Sequence, residues 1–317
     1  MPRQSINHFQ SGRRMTSFGF LAAFVLVCCA SLPFQALPQG EDEVVRVNTD
    51  LVVLNATIVN SKGEYLHNLH RRDFELREDG NKQTISNFSV EETPFAAAVL
   101  LDTSGSMEER LSVARAAAIS FLDGLRTDDV AAVYRFDSKI EQIQDFSQSR
   151  DLAPLAYGLR AKGMTVLNDA VMRAANDLSA RTEKRRAIII LSDGADTHSS
   201  ASKNKAMERA LAVGATVYTV DMSDASNPAA RAQAASGSGV LRELAVKSGG
   251  RYIATPGGTT MREAFAQIVE ELNNQYTIAY QPTNRTRDGR WRRIEVTVSH
   301  PADANIRTRK GYRAPKP

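Results

Sequence analysis

Apolar positions along the chain fall into three regimes. Between 44 and 92 they form short runs rich in β-branched residues, 44–47 and 51–59, and then alternating stretches at 74–78 and 83–90 on either side of Asp79-Gly80-Asn81. Alternation around an Asp-Gly turn predicts hairpin strands. From 95 to 274 the pattern changes. Unbroken apolar runs, Ala96 to Leu101 and Ala187 to Leu191, are separated by segments such as Leu111, Ala114, Ala118, Phe121 and Leu122, with a spacing of three or four. Each unbroken run, bounded by turn residues, predicts a strand buried on both faces, and its alternation with amphipathic helices predicts a mostly parallel sheet. Other strands are expected at 130–136, 215–221 and 250–254, with 140–146 as an antiparallel companion. Helices are expected at 151–160, 167–178, 202–213, 238–248 and 260–273, and the Ser/Ala/Gly-rich stretch 223–239 reads as a mobile loop.

From 275 to 313 the chain returns to alternation, at 275–281, 291–299 and 306–309, with the single tryptophan, Trp291, expected in a core. Isolated hairpin strands are marginally stable, so the two β ends are expected to pair. The predicted fold class is α/β, a doubly wound, mostly parallel sheet with a small β-sandwich built from the flanking N- and C-terminal strands.

Composition changes the picture at the front of the chain. Arg3, Arg13 and Arg14 precede a nearly apolar stretch from Phe18 to Ala30, and small residues and prolines follow through Pro38. Basic, apolar and small segments in that order predict a secretory signal over 1–36. The expected organisation is then a signal at 1–36, an N-terminal β segment at 37–92, an α/β domain at 93–275 and a C-terminal β segment at 276–317 packing with 37–92. The expected location is outside the cytoplasm: periplasmic, associated with the cell envelope, or secreted. Membrane contact is expected only if the signal segment is retained as an anchor. Both cysteines, Cys28 and Cys29, lie in the signal, so a mature chain has no disulfide and relies on its core and any bound metal.

Without the three arginines of 1–36, the formal charge of +4 drops to about +1, which removes the main support for a nucleic-acid-binding reading. The remaining positive charge concentrates near the C-terminus, at Arg285, Arg287, Arg290, Arg292, Arg293, Arg307, Arg309 and Lys310. On alternating strands such residues read as a solvated face.

The candidate chemistry sits where the first unbroken run stops. Asp102-Thr103-Ser104-Gly105-Ser106 puts a carboxylate at the carboxyl end of a central strand, where open α/β sheets bind ligands. Ser104 and Ser106 follow in a glycine-containing turn. Carboxylate and hydroxyl oxygens are hard donors suited to Mg²⁺, Mn²⁺ or Ca²⁺. Asp193 ends the second unbroken run directly before Gly194, and Thr165 lies two residues after Gly163 in a loop opening a helix. If the two buried strands are neighbours, Asp102, Ser104, Ser106, Thr165 and Asp193 can surround one cation with oxygen. Ser106-Met107-Glu108-Glu109 also reads as a capping box, which gives Ser106 an alternative, structural task.

The order Asp-x-Ser-x-Ser at 102–106, Thr165 and Ser-Asp-Gly at 192–194 resembles a von Willebrand factor type A domain with its metal-ion-dependent adhesion site, a Rossmann-like fold, over about 92–275. The flanks resemble those of von Willebrand A-related proteins from acidobacteria, through Asp73-Phe74-Glu75, Glu78-Asp79-Gly80, Trp291 to Val296 and Lys310-Gly311-Tyr312. The resemblance implies that Ser104, Ser106 and Thr165 supply hydroxyl ligands and that Asp102 and Asp193 bind directly or through water. The implied cofactor is a divalent cation, Mg²⁺ first and Mn²⁺ or Ca²⁺ as alternatives. The implied partner is a protein presenting Asp or Glu to the metal. Met164 departs from the pattern, standing where such domains commonly have a second glycine.

Rival readings have less in the sequence behind them. A phosphate loop with Lys, a Gly-x-Ser-x-Gly elbow and a histidine within the motif are all missing, so the chain is read as a non-enzyme rather than a metal-dependent hydrolase. The other alternative is a scaffold component of an envelope assembly with a structural metal.

Overall fold

Residues 51–90, 93–223, 231–254 and 259–316 are described by a computed structural model of the chain. The signal expected at 1–36, the strand expected at 44–47 and part of the expected mobile loop, 224–230, lie outside the described residues. In chain order the strands and helices are β1 (Val52–Val59), β2 (Phe74–Glu78), β3 (Asn81–Gln83), β4 (Ile85–Val90), β5 (Phe95–Asp102), α1 (Leu111–Asp123), β6 (Val130–Phe136), β7 (Ile140–Ser147), α2 (Leu167–Ser179) and β8 (Arg185–Ser192). There follow α3 (Lys203–Ala212), β9 (Ala215–Asp221), α4 (Arg231–Ser248), β10 (Tyr252–Ala254), α5 (Thr259–Asn273), β11 (Tyr276–Tyr280), β12 (Trp291–Val298), β13 (Asn305–Arg307) and β14 (Gly311–Arg313).

The central sheet has the order β10-β9-β8-β5-β6-β7, parallel throughout except for β7, which runs antiparallel to β6. Its middle strand explains its own sequence, since every residue of β5 is buried and side chains on both faces must be apolar. On one face Leu101 and Ile189 pack with Phe121 of α1 and Phe265 of α5. On the other, Leu100 and Ile190 pack with Val171 of α2, Leu211 of α3 and Leu241 of α4. Helices therefore cover both faces, and the strand order reverses between β5 and β8. That is the position at which such sheets open a crevice at the carboxyl ends of their strands.

Strands from the two flanks form two antiparallel sheets, β13-β1-β11-β4 and β14-β12-β2-β3. Leu54 lies opposite Ile278 in the first and Leu76 opposite Val296 in the second. Leu54, Ile58, Leu76, Tyr276 and Ile294 share one core, in which the Phe74 ring centroid lies 5.2 Å from that of Phe88 and 5.5 Å from that of Tyr276. A buried ionic cluster ties α5 to β1, β9 and β13. Glu271 is 0% exposed and accepts from Thr57 Oγ1 and Tyr218 OH, each at 3.2 Å. Its other oxygen faces the guanidinium groups of Arg251 and Arg307.

Four expectations need correction. The segment 151–160 holds only a short 3₁₀ turn, Pro154–Gly158, because Pro154 sets the turn and its helix-like spacing of leucines runs into Gly158. Helix α4 starts at Arg231, so half of the stretch read as a mobile loop is helical. Trp291 is 40% exposed at the start of β12 and does not fill the core. The C-terminal arginines are not a uniformly solvated face: Arg292 is 4% and Arg309 9% exposed.

Candidate metal centre

Asp102 ends β5, and its fate follows from register. Leu101 pairs with Leu191 of β8 and Asp102 with Phe136 of β6, so the carboxylate emerges between two neighbouring strands at the sheet's carboxyl rim. Asp102 is 0% exposed. One carboxylate oxygen accepts the Ser104 N–H at 2.9 Å and the other accepts the Ser192 hydroxyl at 2.5 Å. Burial above all, with a lesser push from the charge of Asp193, outweighs the hydrogen bonds from Ser104 and Ser192 and raises this carboxyl to about 7. A buried carboxylate held only by neutral donors and facing another carboxylate is a place where a cation would relieve both.

The two serines follow at once. Ser104 precedes a 3₁₀ turn, Gly105–Arg110, that leads into α1, and no side chain caps it. Ser106 therefore does not act as the cap that its capping box suggested. Instead its Oγ lies 3.2 Å from Ser104 Oγ. Two cis ligands of an octahedral cation with bonds of ~2.1 Å lie about 3 Å apart, so the spacing of this hydroxyl pair fits a shared hard cation.

Asp193 stands one residue beyond β8, its Oδ1 accepting the Ala195 N–H at 3.0 Å. Gly194 follows at φ +77°, and a Cβ there would meet the Gly237 carbonyl oxygen at 2.3 Å. Only glycine fits where α4 crosses this turn. Thr165 arrives from the loop between β7 and α2, which is pinned to the pentapeptide: Lys162 N–H donates to Thr103 O at 2.9 Å, and Gly105 N–H to Gly163 O at 3.3 Å. Thr165 is 3% exposed. Its N–H donates to Thr197 Oγ1, and its carbonyl accepts from the N–H groups of Thr197 and His198, all at 3.0 Å. Met164 needs no left-handed backbone, since the loop takes that conformation at Gly163, φ +81°. Asp102, Ser104, Ser106, Thr165 and Asp193 thus come from three segments that converge on one rim of the sheet.

Several supporting residues stand outside the five candidate ligands. Ser192 Oγ donates to Asp102 and accepts the Gly194 N–H at 3.0 Å, linking two of the segments. Its place in Ser-Asp-Gly was visible, but its direction was not. Ser138 Oγ accepts the Met164 N–H at 3.0 Å, and Asp196 accepts the Asn168 N–H at 2.7 Å at the start of α2. His198 is exposed in its loop. Asp137 and Asp221, which also end strands, accept N–H groups two residues on, from Lys139 and Ser223, as turn residues do. Among the described residues no group of three or more His, Cys, Asp or Glu is placed to hold a metal, so a cation at this rim would rely on hydroxyls beside its two carboxylates.

The family model of the von Willebrand factor type A domain matches residues 97–195. An uncharacterized protein of Synechocystis sp. is 27% identical over 195 residues, which is 57% of this chain and 42% of that protein. The match thus spans less than half the length of that relative. Among solved structures, a von Willebrand factor type A protein from Catenulispora acidiphila aligns with a TM-score of 0.47 and 13% identity, over 86% of this chain and 75% of its own. The corresponding domain of the type V pili tip protein Mfa5 from Porphyromonas gingivalis aligns with a TM-score of 0.48 and 14% identity, over 58% and 96%.

Proposed function

We propose that the von Willebrand factor type A domain of this chain is a non-catalytic binding module that grips a carboxylate of a partner protein through a divalent cation. The observation that carries this reading is Asp102: a fully buried carboxylate, answered only by neutral donors, beside a hydroxyl pair 3.2 Å apart. Asp102 and Asp193 would balance the cation's charge, and Ser104, Ser106 and Thr165 would complete the protein's share of the oxygen shell. Bound there, the cation supplies an open Lewis-acidic position for an oxygen ligand. The chain's own part is to hold the donors still. Ser192 fixes the direction of the Asp102 carboxylate, Gly194 lets the Asp193 turn sit under α4, and the loop around Thr165 is anchored through Lys162 and Gly105.

Lewis acidity favours the oxygen of an Asp or Glu as the partner's contribution, since three of the five donors are neutral hydroxyls and leave the cation electron-poor. Mg²⁺ is the first choice for this oxygen set, with Mn²⁺ or Ca²⁺ as alternatives. In this reading the protein is exported by its segment 1–36 and works in the cell envelope or outside it. The test is affinity capture from an envelope extract by the full chain with Mg²⁺, with EDTA, and with Asp102→Ala. Partners retained only by wild type in Mg²⁺ are expected. Equal capture in EDTA would reject the proposal.

A further inference from the structure

The C-terminal arginines make a second centre, away from the metal rim. A cavity of about 410 Å³ is lined by Leu211 and Ala212 at the end of α3 and by residues around β11, β12 and β14. Helix α3 leaves the carboxyl rim after β8 and ends just before β9 begins, so this cavity lies at the amino end of the parallel strands, opposite Asp102. Its lining includes Arg285, Arg287, Arg309 and Arg313, and no Asp or Glu.

Arg309 is the key residue. It is 9% exposed, its Nη1 donates to the Leu211 carbonyl at 2.9 Å, and its Nε is buried without a hydrogen-bond partner. The guanidinium lies 5.7 Å from the centroid of the Tyr312 ring. The carboxylate of Glu208 pairs with Arg313, not with Arg309. Burial lowers the Arg309 guanidinium to about 10, so it remains a cation at neutral pH. A desolvated guanidinium with no carboxylate paired to it among the described residues is costly unless an anion meets it. Capping the last turn of α3 accounts for Nη1, and the residue also lines the cavity. Arg285, exposed at the mouth, adds a second cation that forms no ion pair among the described residues. Leu211, Pro282, Tyr312 and Ala314 add apolar surface to a wall that also holds Gln281, Asn284 and Thr286.

We propose that this cavity binds a small phosphate monoester with an apolar body, its head held by Arg309 and Arg285 and its body lying against Tyr312 and Pro282. Guanidinium groups suit planar, paired contacts to oxyanions, and every cation in the lining is arginine rather than lysine. A phosphate monoester carries close to two negative charges at neutral pH, which matches an arginine-rich lining without acids better than a single carboxylate does. The cavity size falls within the range of ~300–1,000 Å³ usual for small-molecule sites.

The test is calorimetry and thermal melting of the full chain at low ionic strength, where screening is weak, with phenyl phosphate, benzoate and inorganic phosphate as probes. Phenyl phosphate should bind saturably at one site and raise the melting temperature. Benzoate and inorganic phosphate should each bind at least about tenfold more weakly. Arg285→Ala, at the exposed mouth, should weaken phenyl phosphate about tenfold, as the loss of one charge-assisted contact does, and Arg309→Gln should abolish binding. EDTA and Asp102→Asn should change nothing here, which separates this site from the cation centre. The proposal is overturned if folded wild type shows no saturable binding of phenyl phosphate, if inorganic phosphate or benzoate binds as tightly, if Arg285→Ala leaves the affinity unchanged, or if EDTA removes the binding.

Discussion

Among the described residues, the carboxylates of Glu271 and Asp102 are both 0% exposed and have opposite surroundings. Glu271 on α5 is met by Arg251, Arg307, Tyr218 and Thr57, all from the chain itself. Its charge also acts on its partner: burial alone would lower the Arg307 guanidinium, and Glu271 carries it above its ordinary value. Asp102 at the end of β5 is met by an amide and a hydroxyl, with Asp193 adding like charge. A buried charge that the fold itself neutralises belongs to the architecture and joins α5 to the flanking strands. Under the proposed function, the carboxylate that has no cation of the chain beside it, and has the hydroxyls of Ser104 and Ser106 close by, is the one that an outside cation would answer.

The largest effect should come from breaking the internally balanced side. Glu271→Ala leaves Arg307 without its carboxylate and should cost about 3–5 kcal/mol in urea unfolding, as removal of one partner of a buried pair does, with or without Mg²⁺. The opposite substitution should behave differently. Asp102→Asn removes a charge that burial disfavours, so the metal-free protein should be no less stable than wild type at pH 8, while any stabilisation by Mg²⁺ disappears. Equal destabilisation by the two substitutions would erase the distinction.

The pH dependence follows from the raised Asp102. A carboxyl lifted from its ordinary 3.8 to about 7 favours the fold while protonated. Metal-free stability from this group is therefore full below pH 3.8 and is lost as pH rises through about 7. Cation binding runs the other way, because the proton must leave. Mg²⁺ affinity should rise about tenfold from pH 6 to pH 8, with proton release measurable by calorimetry in two buffers. A flat profile would place the cation elsewhere.

Smaller effects test the supports. Ser192→Ala removes the donor that aims Asp102 and should weaken Mg²⁺ binding by about 10–100-fold, the usual cost of losing an outer-shell partner, with the fold retained by circular dichroism. Met164→Gly should matter least. Met164 is 53% exposed, and the left-handed turn is already supplied by Gly163, so the substitution should cost at most ~1 kcal/mol of stability through chain entropy and leave metal affinity within about twofold.

How far the sequence reaches differs between regions for a physical reason. Ala96 to Leu101 and Ala187 to Leu191 announce central strands because burial on both faces leaves no polar position to confuse the pattern. The start of α4 was not legible. Gly237 and Ser238 look like loop residues, yet a Cβ on Gly237 would meet the Asp193 carbonyl oxygen at 2.2 Å, and the Ser238 hydroxyl bonds Asp221. These small residues are selected by the close approach of the helix to two strand ends, and tertiary packing overrides their weak helix propensity. The site is similar. Asp102, Ser104 and Ser106 can be read from local spacing, whereas the positions of Thr165 and Asp193 depend on which strands are neighbours and on the Lys162–Thr103 backbone bond. The direction of Ser192 and the burial of Arg309 belong to the packed molecule alone.

The most direct test of the central claim is calorimetric titration of Mg²⁺ into metal-stripped full chain at pH 8, wild type beside Asp102→Asn. A single saturable site in wild type and none in the variant is the predicted result. Equal binding in both, with both folded, would contradict the assignment of Asp102 as the charge that the cation answers.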